Sequence, residues 1–382
     1  MTFQKDGILR RHRPEIKIKK GMLFETIYDI LGDKFHHRSK KESPMKPVRN
    51  RSMECAKLVA AVFVGFLHVP FPGEIGGLVC CLSRFAVPLF FAISGYFSYQ
   101  TQPKKLVKRL CHILTLELLG ILLQILWRCF QAVLLGGSIP DVLLSLIPTG
   151  DMMKKWMLFH VDPFSGHLWY LSAMVSCYGV LWLYTLLWYK KRSTYGPLYA
   201  VSGILLVLFF CLSEFSGVLG IHVDYILYRN AWLFGLPMFS MGLLLRNYQP
   251  RLSAAGGKLL LLMLAGTALS IVEWRHLGGW EMYVGTVLFT GALLLLLAKH
   301  PLAGAPKVLG IFGSLSTPVY LIHLIFLEWY NQFYQWPLSQ RLGAAESWLR
   351  PLIVLAMSLI SAACIVCLQS VFRHFRKGVK TP

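Results

Sequence analysis

Charge is what this chain has least of. Only 15% of its 382 residues are charged, and 18 of them are acidic. A soluble domain carries about 25% charged residues, so a water-facing globular surface is excluded for most of the chain. The first 50 residues hold no apolar stretch able to serve as an h-region, and no removable signal peptide is expected. The nine cysteines show no metal-ligand spacing. Cys364 and Cys367 form a lone CxxC inside the apolar run Ser361-Ala-Ala-Cys-Ile-Val-Cys, where small buried hydrophobes are the simpler reading. No bound metal or cofactor is expected. There is no short internal repeat, and no pair of broken helices of the kind transporters use.

What is present is apolar length. Hydrophobic residues make up 55% of the chain, and runs of about 20 of them, each enough to cross a bilayer, recur from Leu58 to Phe372. Hydropathy places spans near 55–72, 78–99, 110–135, 167–189, 197–213, 226–245, 258–273, 282–298, 308–330 and 350–372. The fold class is therefore an all-α integral membrane protein, a polytopic bundle of about ten transmembrane helices.

The net charge of +21 invites a nucleic-acid reading, but its distribution opposes one. With the N-terminus inside, the inner loops and tail hold sixteen Lys and Arg, including Lys104, Lys105, Lys190 and Lys191, against six in the outer loops. Lys and Arg in short loops resist translocation and set orientation, so both termini are expected in the cytoplasm and no nucleic-acid partner is expected.

Three regions follow. Residues 1–50 form a basic cytoplasmic arm, in which Leu23, Phe24, Ile27, Ile30 and Leu31 sit at helical spacing between basic clusters. An interfacial helix on anionic lipid fits that pattern, and so does a disordered tether. Residues 51–372 form the membrane domain, and 373–382 a basic cytoplasmic tail. No second soluble domain is expected after the last span.

Ionisable groups within a bilayer cost several kcal/mol each and tend to line cavities. In the first span Lys57 and His68 are eleven residues apart, three helical turns plus roughly 20°, which puts them on one face about 16 Å apart. A cation at the cytoplasmic mouth could hold a phosphate-bearing donor, with the imidazole deeper as a base. A snorkelling lysine and a packed histidine is the competing reading. In the second span Arg84 lies near the level of His68 and needs a partner or water at that depth. Pro88 and Ser94-Gly95 allow a kink and a close helix contact, or room for a ligand. Glu117, Gln124 and Arg128 share a face of the third span, lining a cavity or forming a Glu–Arg network. His167-Leu-Trp169-Tyr170 opens the fourth span, where the aromatics could equally be interfacial belt residues. Tyr320-Leu-Ile-His323 lies in the ninth. If the helices bundle, three histidines and one arginine converge at similar depth.

These residues carry a family resemblance. Arg84-Phe-Ala-Val-Pro-Leu-Phe-Phe-Ala-Ile-Ser-Gly-Tyr-Phe97 resembles the second-helix signature of the acyltransferase-3 family. That family includes membrane O-acetyltransferases of surface polysaccharides, O-antigen and nodulation factors, and the membrane part of a vancomycin-resistance serine racemase. Its first helix carries Arg, sometimes Lys, ten residues and then His, and Lys57 to His68 matches that spacing. His167-Leu-Trp-Tyr-Leu and Ser316-Thr-Pro-Val-Tyr-Leu-Ile-His323 resemble two further landmarks in the expected order, so the resemblance covers roughly 51–372. The HxxxxD motif of glycerolipid acyltransferases is absent, and the resemblance is to members without an SGNH domain.

The resemblance implies acyl transfer, acetyl before longer chains, from cytoplasmic acyl-CoA as co-substrate to a hydroxyl of a cell-surface glycan or lipid-linked saccharide. It implies a multi-pass protein in the plasma membrane of a bacterial cell. His68 becomes the catalytic base or a transient acyl carrier, Lys57 helps bind the CoA end, and Arg84 lines the site. Ser94, Glu117, His167, Trp169, Tyr320 and His323 become candidate substrate-binding residues. Two other readings stand beside this one: a permease-like transporter using the same cavity, as the racemase-linked relatives suggest for amino acids, and a non-catalytic membrane partner.

Overall fold

The structure, a computed structural model, describes residues 50–188, 195–249, 256–302 and 309–378. The basic arm with its interfacial-helix pattern, and the end of the tail, lie outside the described residues. The described chain is helical, with no strand among the described residues.

Seven helices among the described residues are long and apolar enough to cross a membrane, from Gly73–Ser98 to Ala345–Phe372. The remaining three expected spans coincide with helices that are shorter or more charged. These are α1 (Arg51–His68), a π-turn at Ala231–Gly235 running into a helix at Leu236–Tyr248, and Val284–Lys299. Each packs inward through buried residues such as Ala60, Ala61 and Val64, Met238 and Phe239, and Ala292 and Leu294. A helix screened by its neighbours needs less lipid-facing apolar surface than an outer one.

Two boundaries differ from the hydropathy reading, and proline explains both. α1 stops at His68 rather than residue 72, because Pro70 and Pro72 disfavour continued helix. The second span starts earlier and is not continuous: α2 (Gly73–Ser83) and α3 (Ala86–Ser98) are separated by a break at Arg84-Phe85. Pro88 has no N–H to return to the Arg84 carbonyl, so the helix bends there. The stretch after α4 (Pro103–Leu134), expected as the longest outer loop, is partly helical, with α5 (Ile139–Ser145) and α6 (Gly150–Phe159). Next come α7 (Trp169–Trp188), α8 (Gly196–Phe210), α9 (Leu236–Tyr248), α10 (Gly256–Leu277) and α11 (Val284–Lys299). The series closes with α12 (Leu309–Phe333), α13 (Gln335–Leu342) and α14 (Ala345–Gly378).

α3 is the axis of the bundle. Its Leu89 and Ala92 face a core shared with α1 and α12, while Phe91 faces a second core with Trp169, Phe234 and Phe239. α3 and α9 run parallel in backbone contact. A Cβ on Gly95 would fall 1.8 Å from the Phe239 carbonyl oxygen, and one on Gly242 would fall 1.9 Å from that of Ala92. At the inner end the Tyr96 hydroxyl bonds Gln249 at 2.5 Å and Arg246 at 2.9 Å, which fixes the register of the pair. Gly266 and Gly285 bring α10 and α11 together in the same way. Small residues where backbones meet are the usual solution between membrane helices, since lipid supplies no hydrophobic drive for association.

The cysteines are all free, and Cys364 and Cys367 are exposed on the outer face of α14, not buried as expected. An apolar thiol on a lipid-facing surface is as well accommodated as one in the core.

Because the atoms that would clash are backbone, Gly95→Ala and Gly242→Ala should each cost about 1–3 kcal/mol. Gly203→Ala, whose Cβ meets nothing within 4 Å, should be neutral. Thermal midpoints of the purified variants in detergent check this, and equal midpoints for all three would contradict the packing described.

Candidate active site

The site is built from helix ends and one helix interior. His68 is the last residue of α1, carried to that position by a helix fixed at its other end. There the Asn50 side chain accepts from the Met53 N–H at 3.1 Å and donates to the Leu297 carbonyl at 2.9 Å. His167 lies in the 3-10 turn Gly166–Leu168 that leads into α7. Asp162 shapes the approach to that turn, its Oδ1 accepting from the N–H groups of Phe164 at 2.8 Å and Ser165 at 2.9 Å. His323 and Tyr320 come from α12, just past Pro318.

The three imidazoles meet. Ring centroids are 5.1 Å apart for His68 and His323 and 5.2 Å for His167 and His323. His323 Nδ1 is 2.8 Å from the Tyr320 carbonyl, an oxygen that only accepts. Nδ1 therefore carries the proton, and Nε2 of the neutral ring is an acceptor. The Nε2 atoms of both His323 and His167 are buried with no hydrogen-bond partner among the described residues. A buried polar atom left open is costly, and two of them here point to a site that a substrate completes. Tyr320 donates its hydroxyl to the His167 carbonyl, so it holds the histidine turn in place and has no hydroxyl proton left for a substrate.

Arg84 sits at the break between α2 and α3 and forms an ion pair with Glu281 at 3.1 Å. Arg229 approaches the other oxygen of the same carboxylate at 3.6 Å and lies over the Trp169 ring, 5.0 Å from its centroid. Trp169 is buried against Phe91 and Phe234, an inward position rather than a belt one. Ser94 lies against the Tyr170 hydroxyl, and Tyr170 packs on Tyr320 with centroids 5.5 Å apart.

Glu117 is buried. It accepts from Ser172, whose oxygen in turn accepts from Trp156 Nε1 at 2.9 Å. A Glu–Arg network between this helix and others does not form among the described residues: Arg128 donates to the Phe164 carbonyl at 3.0 Å. Gln124 is buried, with Nε2 unpartnered among the described residues. Lys57 is at the far end of α1 from His68, paired with Glu54 at 3.1 Å.

Sequence reasoning missed Arg229 and Glu281. Arg229 had registered only as an outer-loop charge. The available signal was its place directly before an apolar run, followed by Asn230, whose side chain caps the next turn through the N–H groups of Trp232 and Leu233. Glu281 lies between Trp280 and Met282, and nothing in that setting points at a partner far away in the chain.

Among the described residues no group of three or more His, Cys, Asp or Glu side chains is arranged to hold a metal ion. What the arrangement offers is proton transfer from imidazole and charge stabilisation from guanidinium, within a helical bundle. A family model described as an acyltransferase domain matches residues 50–369. The chain belongs to that family, acyltransferase 3. No curated protein matches the chain.

Outside the spans, His160 pins the outer loop to the turn that carries Arg229. The Ala231 N–H donates to its Nδ1 at 3.3 Å, and its Nε2 meets the Ser176 hydroxyl at 2.7 Å. Nδ1 must be unprotonated to accept, so the ring is neutral. Burial pushes its pKa down to about 4, only partly offset by the Phe159 backbone. The unfolded chain, with a pKa near 6.5, binds this proton more readily. His160 therefore destabilises the fold as pH falls from about 6.5 to 4, by up to about 3 kcal/mol. His160→Gln should flatten that part of the stability–pH curve, read as thermal midpoint against pH. Parallel curves for the two proteins across that window would contradict the neutral buried ring.

Proposed function

We propose that this protein is a membrane-embedded O-acyltransferase with His68 as its general base. It moves an acyl group, acetyl in the simplest case, from cytoplasmic acyl-CoA to a hydroxyl of a cell-surface glycan or lipid-linked saccharide. In this reading the protein crosses the plasma membrane of a bacterial cell about ten times, with both termini in the cytoplasm, as the basic inner loops require. The observation that carries it is the meeting of His68, His167 and His323, with two open Nε2 atoms, in a chain of an acyltransferase family.

The chemistry follows from the geometry. His68 takes the proton of the acceptor hydroxyl as its oxygen forms a bond to the thioester carbonyl carbon. The C–S bond then breaks, and the thiolate leaves as CoA, receiving the proton that His68 took up, which restores the neutral imidazole. His323, whose ring lies against that of His68 with centroids 5.1 Å apart, fixes the orientation of the base by packing and acts as a positioning residue. Arg84 and Arg229 supply positive charge near the developing oxyanion. Lys57, eleven residues inward on the same helix, meets the phosphates of the donor.

Removing a positioned base costs about 10²–10⁴-fold in rate. His68→Ala should therefore abolish measurable transfer by purified protein in lipid, with abundance and acyl-CoA binding retained, and His323→Ala should lose less. A folded His68→Ala protein transferring at near wild-type rate would overturn the mechanism and favour the transporter reading. Donor recognition is tested separately. Lys57→Ala should raise the apparent KM for acyl-CoA while Lys57→Arg retains activity, and an unchanged donor dependence in Lys57→Ala would reduce that lysine to an anchor.

A further inference from the structure

Two arginines sharing one carboxylate leave a positive charge over. Arg84, Arg229 and Glu281 come from three separate parts of the chain, and their side chains remain 22%, 22% and 23% exposed. The cluster is thus neither sealed in the core nor open to bulk solvent. Glu281 is a fixed counter-ion. It sits in a tight turn in which the Trp280 N–H donates to the Tyr283 hydroxyl at 3.2 Å and that hydroxyl donates to the Gly278 carbonyl at 3.0 Å, with Tyr283 fully buried.

The arginines are unequally engaged. Arg84 donates a hydrogen bond to Glu281 at 3.1 Å. Arg229 reaches it only at 3.6 Å, too long for a hydrogen bond, and otherwise rests on the ring faces of Trp169 and Tyr225. Among the described residues no hydrogen bond holds the Arg229 guanidinium. A planar five-donor group, oriented by stacking and lacking a hydrogen-bond acceptor, is prepared for bidentate binding of a carboxylate or phosphate. The nearby Asp224 does not fill this role, because it is exposed and caps the Ile226 N–H at 3.0 Å.

We propose that Arg229, with Arg84, forms an anion-binding subsite beside the turn that carries His167 and Trp169, and that the acyl acceptor carries a carboxylate or phosphate near the hydroxyl that reacts. This rests on the acyltransferase reading and narrows its acceptor class to anionic saccharides. Glu281 holds the arginines in place and competes with the incoming anion for them.

The test measures binding without any acyl donor, so its outcome is independent of whether transfer occurs. Purified full-length protein in uncharged phosphatidylcholine nanodiscs is titrated with glucuronate, glucose 1-phosphate and glucose, following tryptophan fluorescence, to which Trp169 under Arg229 should respond. At least one anion should bind about tenfold or more tighter than neutral glucose, the scale of one charge-assisted bidentate contact. The stronger of the two distinguishes carboxylate from phosphate. Arg229→Gln should lose that preference, and Arg229→Lys should keep part of it. Glu281→Gln should tighten anion binding about three- to tenfold by removing the competitor, a gain that a purely structural ion pair would not produce. Equal binding of glucose and both anions would overturn the proposal. So would anion binding that is unchanged or weaker in a folded Glu281→Gln protein, and this arm still decides if the arginine variants fail to fold.

Discussion

The contact between α3 and α9 through Gly95 and Gly242 is the constraint on which the rest of the site depends. Two parallel helices in backbone contact have their starts side by side, and here those starts carry the charged residues. α3 begins at the break that presents Arg84, and the segment leading to α9 begins at Asn230, directly after Arg229. Neither arginine could share Glu281 if side chains held these helices apart. The shared carboxylate is therefore a consequence of two missing Cβ atoms some way along the helices from it.

The second organising feature is the use of proline to place functional groups where helices stop or bend. Pro70 and Pro72 end α1 at His68, Pro88 opens the bend at Arg84, and Pro318 lies within α12 just before Tyr320 and His323. Each disrupts regular hydrogen bonding next to a polar side chain. Inside a membrane such irregularity is tolerated where protein surrounds it or a cavity adjoins it. The Nε2 atoms of His167 and His323 are left without hydrogen-bond partners among the described residues where these irregular segments meet. Tyr320 shows how the aromatic residues divide the work: its hydroxyl ties α12 to the turn carrying His167, while its ring packs on Tyr170 and His167.

Much of this was legible in the sequence, and the reason is local. Scarce charge and long apolar runs specify a membrane bundle, because each span satisfies its own backbone and must be apolar along its length. The Lys57–His68 interval is readable because both residues sit on one helix, whose geometry converts sequence separation into distance. His167 and His323 could be named as candidates because a polar residue in a span is conspicuous.

What only the tertiary structure decided is which side chains meet. The three histidine rings come from α1, the turn before α7, and α12, and no periodicity encodes that encounter. Glu117 takes Ser172 and Arg128 takes the Phe164 carbonyl as partners, choices set by which segments pack beside the helix. The meeting of Arg229 and Glu281 had no local signature, since an ion pair between residues far apart in the chain is made by helix packing alone. Composition and helical period determined the class of protein and the candidate groups. The close approach of helices at glycine, set by sterics between distant segments, decided which of those groups form a site.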